Sequence, residues 1–300
     1  MVVVAAAFAK VAADNTGELR DVDVHLRPGW FLLAAPAGLA SGPLLPLAWR
    51  QVLRATGHRI TGPQAVRVWY LGQTARYLPT GLVAVASRSV LLARHGVAQA
   101  VTVATVVVEL LLIVTVGGGL AAVCLPSTEL AGPARVLLAA GALGALVVGP
   151  HLVRLASGRV ARLDPHRAGG WAVGSLYRAE LLFLVNAVAK SLAFVLFACA
   201  IQPVGLDDVL LLVGAFNAAN TLGTVGITPA GLGVREGVMA ALLADRYGLG
   251  DGATLAVAAR VWDTALELVW LTVVQRRSFR ADGPPSGADP ALPAEPDGGG

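Results

Sequence analysis

Charge is the scarcest commodity in this sequence. Only 14% of the 300 residues are Asp, Glu, Lys or Arg, against 56% hydrophobic residues and a mean hydropathy of +0.68. A water-soluble domain carries about 25% charged residues because its surface must face water. Lysine is nearly missing: Lys10 and Lys190 are the only two, and arginine supplies the rest of a net charge of +4. No basic stripe is interleaved with aromatics, which argues against a nucleic-acid partner. The only cysteines, Cys124 and Cys199, sit in apolar runs and read as small buried hydrophobes rather than a disulfide framework. The histidines (His25, His58, His95, His151, His166) are scattered, without metal-ligand spacing. No serine lies in a G-x-S-x-G context, and neither cysteine has a partner base placed by position. The expectation is therefore a non-enzyme with no catalytic residues, metal or cofactor, with a membrane-embedded transferase kept as a third reading that would need a nucleophile or metal site. A cleavable signal peptide is also not expected, since Met1 opens directly into an apolar stretch with no basic segment before it.

What is present is long apolar runs. Residues 97–125 and 134–155 supply the roughly 20 apolar residues needed to cross about 30 Å of hydrocarbon. Lipid cannot satisfy free backbone N–H and C=O groups, so such runs must be helical. The expected fold class is all-α, a polytopic integral membrane helical bundle. Six spans are expected near residues 1–13, 29–53, 97–124, 134–155, 176–201 and 252–275, with two re-entrant hairpins at 64–94 and 208–248. The first span is short, so either the bilayer thins there or the chain begins inside its first helix. A membrane domain over 1–277 is expected, with halves at about 1–125 and 134–277. Residues 278–300, rich in Pro, Gly, Ala and Asp, are expected to form a disordered tail.

Arginines set the orientation. Arg50, Arg54, Arg59 and Arg67 share one loop region, Arg154, Arg159, Arg162 and Arg167 another, and Arg276, Arg277 and Arg280 close the last span. Alternate loops are acidic or neutral, with Asp14, Glu18, Asp21 and Asp23, then Glu129, then Asp207 and Asp208. An excess of Arg and Lys marks cytoplasmic loops, which predicts a multi-pass cell-membrane protein with both termini in the cytoplasm.

The two hairpins carry one shared pattern. Pro79-Thr80-Gly81-Leu82 and Pro229-Ala230-Gly231-Leu232 both read P-x-G-L and lie 150 residues apart, half the chain. Each has a basic residue nearby (Arg76 and Arg88; Arg235), then an amphipathic stretch, then a long span containing an acid (Glu109; Glu267). In the predicted orientation the hairpins enter from opposite sides. That arrangement matches the inverted-repeat plan of transporters whose broken helices meet at the membrane midplane.

Ionisable groups within hydrocarbon are costly and usually functional. Glu109 lies mid-span; Lys190 has Asn186 one turn away on the same face; Arg260, Asp263 and Glu267 fall at i, i+3 and i+7 and share a stripe. Arg235 and Glu236 follow Gly231 and Gly233, and Arg76 and Arg88 flank the first hairpin tip. These groups suit a polar cavity for an anionic phosphate: helix N-termini attract anions, and arginines hold phosphate bidentately. The carboxylates would hold the arginines in place without ligand, or carry a coupled proton. The plainer reading is a set of structural ion pairs. Trp69, Tyr70, Tyr77, Trp171 and Trp262 read as interfacial anchors, with Trp69 and Tyr77 as alternative cavity walls. Asn217, Asn220, Thr221 and Thr224 form a polar stripe for hydrogen bonds between helices or for lining a path.

The strings Gln73-Thr74-Ala75-Arg76-Tyr77-Leu78-Pro79 and Pro229-Ala230-Gly231-Leu232-Gly233-Val234-Arg235-Glu236-Gly237, with the span acid Glu109, resemble the lysylphosphatidylglycerol synthase transmembrane (flippase) domain family. The resemblance runs over about residues 1–277. It implies a membrane domain that moves lipids with modified headgroups between leaflets. The expected substrate-binding set is Gln73, Arg76, Tyr77, Pro79, Arg88, Glu109, Lys190, Gly231, Gly233, Arg235, Glu236, Arg260, Asp263 and Glu267. The first hairpin has Pro79-Thr80-Gly81 where the family more often has Pro-Gly directly. Bifunctional family members add a soluble aminoacyl-transfer domain, and this chain is expected to act without one. The expected partners are membrane lipids, a separate lipid-modifying or glycosyltransferase enzyme, and a second copy in a homodimer. The function expected is a flippase for an anionic phospholipid or polyprenyl-phosphate-linked lipid; the alternative is a non-transporting accessory subunit of such an enzyme.

Overall fold

The computed structural model describes residues 27–74, 82–126, 132–161, 171–225 and 231–281. Its helices are α1 (Pro28–Ser41), α2 (Leu44–Ala55), α3 (Gly62–Gln73), α4 (Leu82–Ala93), α5 (Gln99–Cys124), α6 (Gly132–Ala161), α7 (Val173–Ile201), α8 (Asp208–Val225), α9 (Val234–Tyr247) and α10 (Leu249–Ala281). No strand occurs among the described residues. Among the described residues, five stretches are long and apolar enough to cross a membrane: Pro28–Ala55, Gln99–Cys124, Gly132–Ala156, Val173–Ile201 and Asp208–Val225. The protein is an all-α membrane helical bundle.

Several expected boundaries shift. The span expected at 252–275 lies within α10 but is not among the five, because Asp251, Arg260, Asp263 and Glu267 dilute its apolar character. Helix α10 runs to Ala281, so residues 278–281 continue the last helix rather than start the expected tail. The expected first span, the rest of that tail and the tips of both hairpins (75–81 and 226–230) lie outside the described residues.

The span expected at 29–53 is broken in two at Gly42 and Pro43, and the reason is local chemistry. Pro43 and Pro46 have no N–H, so the carbonyls of Leu39 and Gly42 lose their helical donors. Two aromatic side chains replace them: the Trp270 indole N–H donates to the Leu39 carbonyl at 2.9 Å, and the Tyr70 hydroxyl donates to the Gly42 carbonyl at 3.1 Å. Their rings stack at 5.9 Å. A Cβ at Gly42 would lie 2.1 Å from the Trp270 indole nitrogen, so only glycine lets that ring approach. Breaks in membrane helices persist where neighbouring groups satisfy the freed backbone in this way.

The helices fall into two sets with matching contacts. In the first, α2 packs on α3, α3 on α4, α4 on α5, and α2 on α5; in the second, α7 packs on α8, α8 on α9, α9 on α10, and α7 on α10. The sets also cross over reciprocally: α5 packs on α8, and α10 on α3. The Arg27 N–H donates to the Ala200 carbonyl at 2.8 Å, and the Ala172 N–H to the Ala55 carbonyl at 2.9 Å. These two bonds show that α1–α2 runs antiparallel to α7, the helix that leads into the second hairpin.

Glycines permit the closest crossings. A Cβ at Gly117 of α5 would lie 2.4 Å from the Thr221 hydroxyl of α8, and one at Gly214 of α8 would lie 2.9 Å from the Leu125 backbone. Lipid tails are as apolar as leucine, so helices in a membrane associate through such close packing rather than through the hydrophobic effect. Trp69, Tyr70, Trp171 and Trp262 are all buried, which corrects the expectation that they are interfacial anchors. Each fills space between helices, and Trp262 stacks on Phe197 at 4.7 Å.

Candidate functional site

Most of the described charged residues of the expected site gather in two places, each built around one hairpin. In the first, Thr61 starts α3 with a capping box: its N–H donates to the Gln64 side chain at 2.8 Å, and the Gln64 N–H donates back to the Thr61 hydroxyl at 3.4 Å. That cap aims Trp69 and Gly72 at α4 and α5. The Arg88 side chain of α4 crosses directly over Gly72, where a Cβ would lie 2.5 Å from the Arg88 Cγ. Its guanidinium then meets the Glu109 carboxylate of α5 through both ends, Nη1 to Oε2 and Nη2 to Oε1, the latter at 3.5 Å. The Trp69 indole N–H donates to Glu109 Oε1 at 2.9 Å, and the guanidinium lies 5.3 Å and 5.5 Å from the ring centres of Trp49 and Trp69. Arg88 and Glu109 are 4% and 3% exposed. Every feature here neutralises and seals the pair, as a buried charge requires.

The second place is a cleft between α8, α9 and α10. Its polar lining is Asn220, Arg235, Glu236, Arg260 and Asp263, and its apolar lining is Phe216, Ala219, Met239, Ala256 and Ala259. Gly231 (φ +68°) and Gly233 (φ +81°) lead into α9 with backbone angles that favour glycine. A Cβ at Gly231 would lie 2.6 Å from the Gly223 carbonyl, so the two hairpin arms touch backbone to backbone. Glu236 caps α9 by accepting from the Gly233 N–H at 2.8 Å through Oε2. Its other oxygen, Oε1, faces Arg260 Nε at 3.6 Å, an ion contact too long for a hydrogen bond. Lys190 of α7 reaches Asp263 at 3.7 Å, also without a hydrogen bond. The Arg235 stem crosses Gly223, where a Cβ would lie 2.2 Å from the Arg235 Cγ.

The structure thus divides the expected site. Arg88 joins Glu109 in the sealed pair, while Arg235, Glu236, Arg260 and Asp263 line the cleft with Lys190 attached through Asp263. Gly231 and Gly233 shape the turn at the cleft's edge rather than line it. Glu267, further along α10, is not in the cleft lining, although it shares a stripe with Arg260 and Asp263. Gln73 is half-buried at the end of α3 and is not in that lining either, while Arg76, Tyr77 and Pro79 lie outside the described residues. Within the polar stripe of α8, Asn217 donates to the Ser191 hydroxyl at 2.7 Å and so ties α8 to α7, whereas Asn220 lines the cleft.

Several participants were not singled out from the sequence. Trp49, Gly72 and Gly223 gain their roles only through neighbours distant in the chain. The similar spacing from Pro79 and Pro229 is the signal that could have revealed the glycines, since Gly72 and Gly223 precede their prolines by seven and six residues. Glu180, buried on α7, was also passed over.

The family model described as Lysylphosphatidylglycerol synthase TM region matches residues 1–274. The chain belongs to this family. The match takes in both hairpins, the sealed pair and the cleft, so all of these are parts of the family's membrane region. Neither the curated proteins nor the solved structures yield a match.

Proposed function

We propose that this protein moves an anionic, phosphate-bearing lipid between the leaflets of the cell membrane, taking the headgroup at the cleft between α8, α9 and α10. The observation that carries the reading is the composition of that cleft. It brings two arginines, an asparagine and two carboxylates, Glu236 and Asp263, together with five apolar residues, which suits a lipid with a polar head and an apolar body. Arginine pairs bind phosphate through parallel N–H bonds. The antiparallel run of α1–α2 and α7 supports two inverted halves, each contributing one hairpin, and the arginine-rich loops favour cytoplasmic termini. The cavity volume is about 20 Å³, room for a single water. The cleft must therefore widen to admit a headgroup, and the contact of Lys190 with Asp263, at 3.7 Å without a hydrogen bond, can give way.

Liposomes carrying the purified protein and labelled phospholipids or polyprenyl-phosphate sugars test the reading. Arg235→Ala and Arg260→Ala are expected to slow lipid movement by at least about tenfold, the scale of one lost charge-assisted hydrogen bond. Transport at the wild-type rate in both variants would remove the cleft from the mechanism. No movement by the wild-type protein, combined with stable co-purification of a lipid-modifying or glycosyltransferase enzyme, would favour an accessory subunit.

A further inference from the structure

One acid within a span takes no part in either charged place. Glu180 lies in α7, eight positions past Ala172, or about 12 Å along the helix at about 1.5 Å per residue. It is 8% exposed, whereas Tyr177, Leu181 and Leu184 on the outer side of the same helix are exposed. Glu180 follows Leu176 by one turn and precedes Phe183 by three positions, and both of these pack in one apolar cluster with Ala48, Val52 and Ala55 of α2. The backbone bonds that join Ala172 to Ala55 and Arg27 to Ala200 span equal lengths of chain on the two sides, so one register holds along the whole interface. That register sets Leu47 opposite Glu180 and Gln51 opposite Leu176.

Among the described residues, no donor and no cation engages the Glu180 carboxylate. The titratable groups around it are occupied elsewhere. In α2, Arg50 Nε donates to the Ile60 carbonyl at 2.7 Å, and Arg54 forms no ion pair with Glu180. In α5 Glu109 holds Arg88, in α8 Asp208 holds Arg246, and in α10 Asp263 faces Lys190 while Arg260 faces Glu236. In α6 His151 lies edge-on to Tyr177 at 6.0 Å, and Arg154 forms no ion pair with Glu180. On α7 itself the Tyr177 hydroxyl donates to the Val147 carbonyl at 2.8 Å, and Arg178 is exposed. Helix α1 carries no titratable group. An acid in apolar surroundings without a partner takes up a proton rather than hold its charge. Gln51 is a second sign. It shares the α2 face of Ala48, Val52 and Ala55, and its Oε1 is buried with no donor serving it. Buried acceptors without a donor are rare. Helical side chains lean toward the N-terminus, so Glu180 leans toward the level of Leu176 and Gln51. A proton on Glu180 supplies a donor at that level.

We propose that Glu180 is a proton-binding site that couples lipid movement to a proton gradient, a neutral acid while α2 and α7 are packed and a carboxylate when they part. The coupling rests on the transport reading, whereas the proton site does not. On release the O–H bond breaks, the proton passes to water entering between the helices, and one negative charge stays on the carboxylate. On rebinding the O–H bond forms again, the charge is removed, and the helices close on an apolar interface. The break at Gly42 and Pro43 gives α2 a point about which to swing. Helix α7 also carries Lys190, ten residues past Glu180, whose partner Asp263 lines the cleft. A shift of α7 against α2 is therefore felt at the headgroup site.

The proton site is tested by infrared difference spectra between the full chain in lipid vesicles and its Glu180→Gln variant. A protonated-carboxyl band in neutral buffer, lost in the variant, is expected, and the band should change position in Gln51→Leu. No such band overturns the proposal, and a band that ignores Gln51→Leu overturns Gln51 as its acceptor. The coupling is tested in liposomes with the labelled lipids of the transport assay and a pH step of about one unit. One coupled proton sustains up to about a tenfold ratio of lipid between the leaflets under that step. Glu180→Gln should move lipid without answering the step, and Glu180→Asp, still titratable, should answer it. A wild type indifferent to the step, or a Glu180→Gln variant that follows it, overturns the coupling. If the band is present but the wild type moves no lipid, the proton site stands and the transport reading falls together with the coupling. If movement depends on Arg235 and Arg260 but not on pH, the headgroup reading stands and the coupling is overturned.

Discussion

In the α3–α4 hairpin, the arginine that crosses its partner glycine ends in a carboxylate gripped at both ends, between two tryptophan faces and beneath an indole N–H. In the α8–α9 hairpin, the corresponding arginine ends in a cleft where the contacts at 3.6 Å and 3.7 Å are ionic only. The backbones make the same move in both places, and the electrostatics differ. A saturated pair at low dielectric is costly to open, since each charge would be left without its partner. The ion contacts of the second place, Arg260 with Glu236 and Lys190 with Asp263, are longer than that of the first. On the proposed reading, the first hairpin ties the bundle together and the second exchanges ligand.

The largest expected effect breaks the first half. Arg88→Ala or Glu109→Ala alone leaves a buried charge uncompensated and should cost about 3–5 kcal/mol. Thermal unfolding in detergent reads this as a large drop in melting temperature for each single variant. The double variant Arg88→Met with Glu109→Leu should regain much of the loss, because the charge and its partner then leave together. A double variant no more stable than the singles would show that the pair does more than neutralise itself.

A middle-sized effect sharpens the comparison. Gly72→Ala and Gly223→Ala place the same methyl group against the same part of an arginine, with an expected strain of about 1–3 kcal/mol. Gly72→Ala should appear mainly as lost stability, because the Arg88 stem has nowhere to move. Gly223→Ala should appear mainly as slower lipid transport, because the Arg235 stem shifts within a cleft that has slack. Paired melting curves and liposome transport rates distinguish the two, and equal losses of stability would erase the proposed difference between the halves.

The smallest effect concerns Lys190. Its contact with Asp263 is long, and its side chain is 30% exposed. Lys190→Met should change stability by no more than about 1 kcal/mol, measured by denaturant titration. A larger cost would show that the second half is as tightly tied as the first.

Much of the fold was legible in the sequence, because the bilayer leaves few choices. Runs of the length of 97–124 and 176–201 had to be helices, and α5 and α7 are found there within a few residues. The tips of the two expected hairpins, where proline and glycine interrupt otherwise apolar stretches, lie outside the described residues. The break at Gly42 was not anticipated: whether Pro43 and Pro46 end a helix or only bend it depends on what satisfies the freed carbonyls, and Trp270 lies 231 positions away from the carbonyl it serves. The buried aromatics were misjudged for a related reason. A tryptophan near a span end looks the same in sequence whether it faces the headgroups, as an anchor would, or the bundle interior, as Trp69 does.

The candidate site divides along the same line. Sequence alone determined which ionisable groups lie within apolar segments, and hence that Arg88, Glu109, Arg235, Glu236, Arg260 and Asp263 need partners, because an isolated charge in hydrocarbon is too costly to persist. Only the tertiary structure decided the pairing. Glu236 carries a cap as well as facing Arg260, and Glu109 belongs to Arg88 alone among the arginines described in contact with it. Which charges meet is a matter of a few ångströms between helices, set by where Gly72 and Gly223 let an arginine pass. No local pattern encodes that distance, because it arises only when the helices pack.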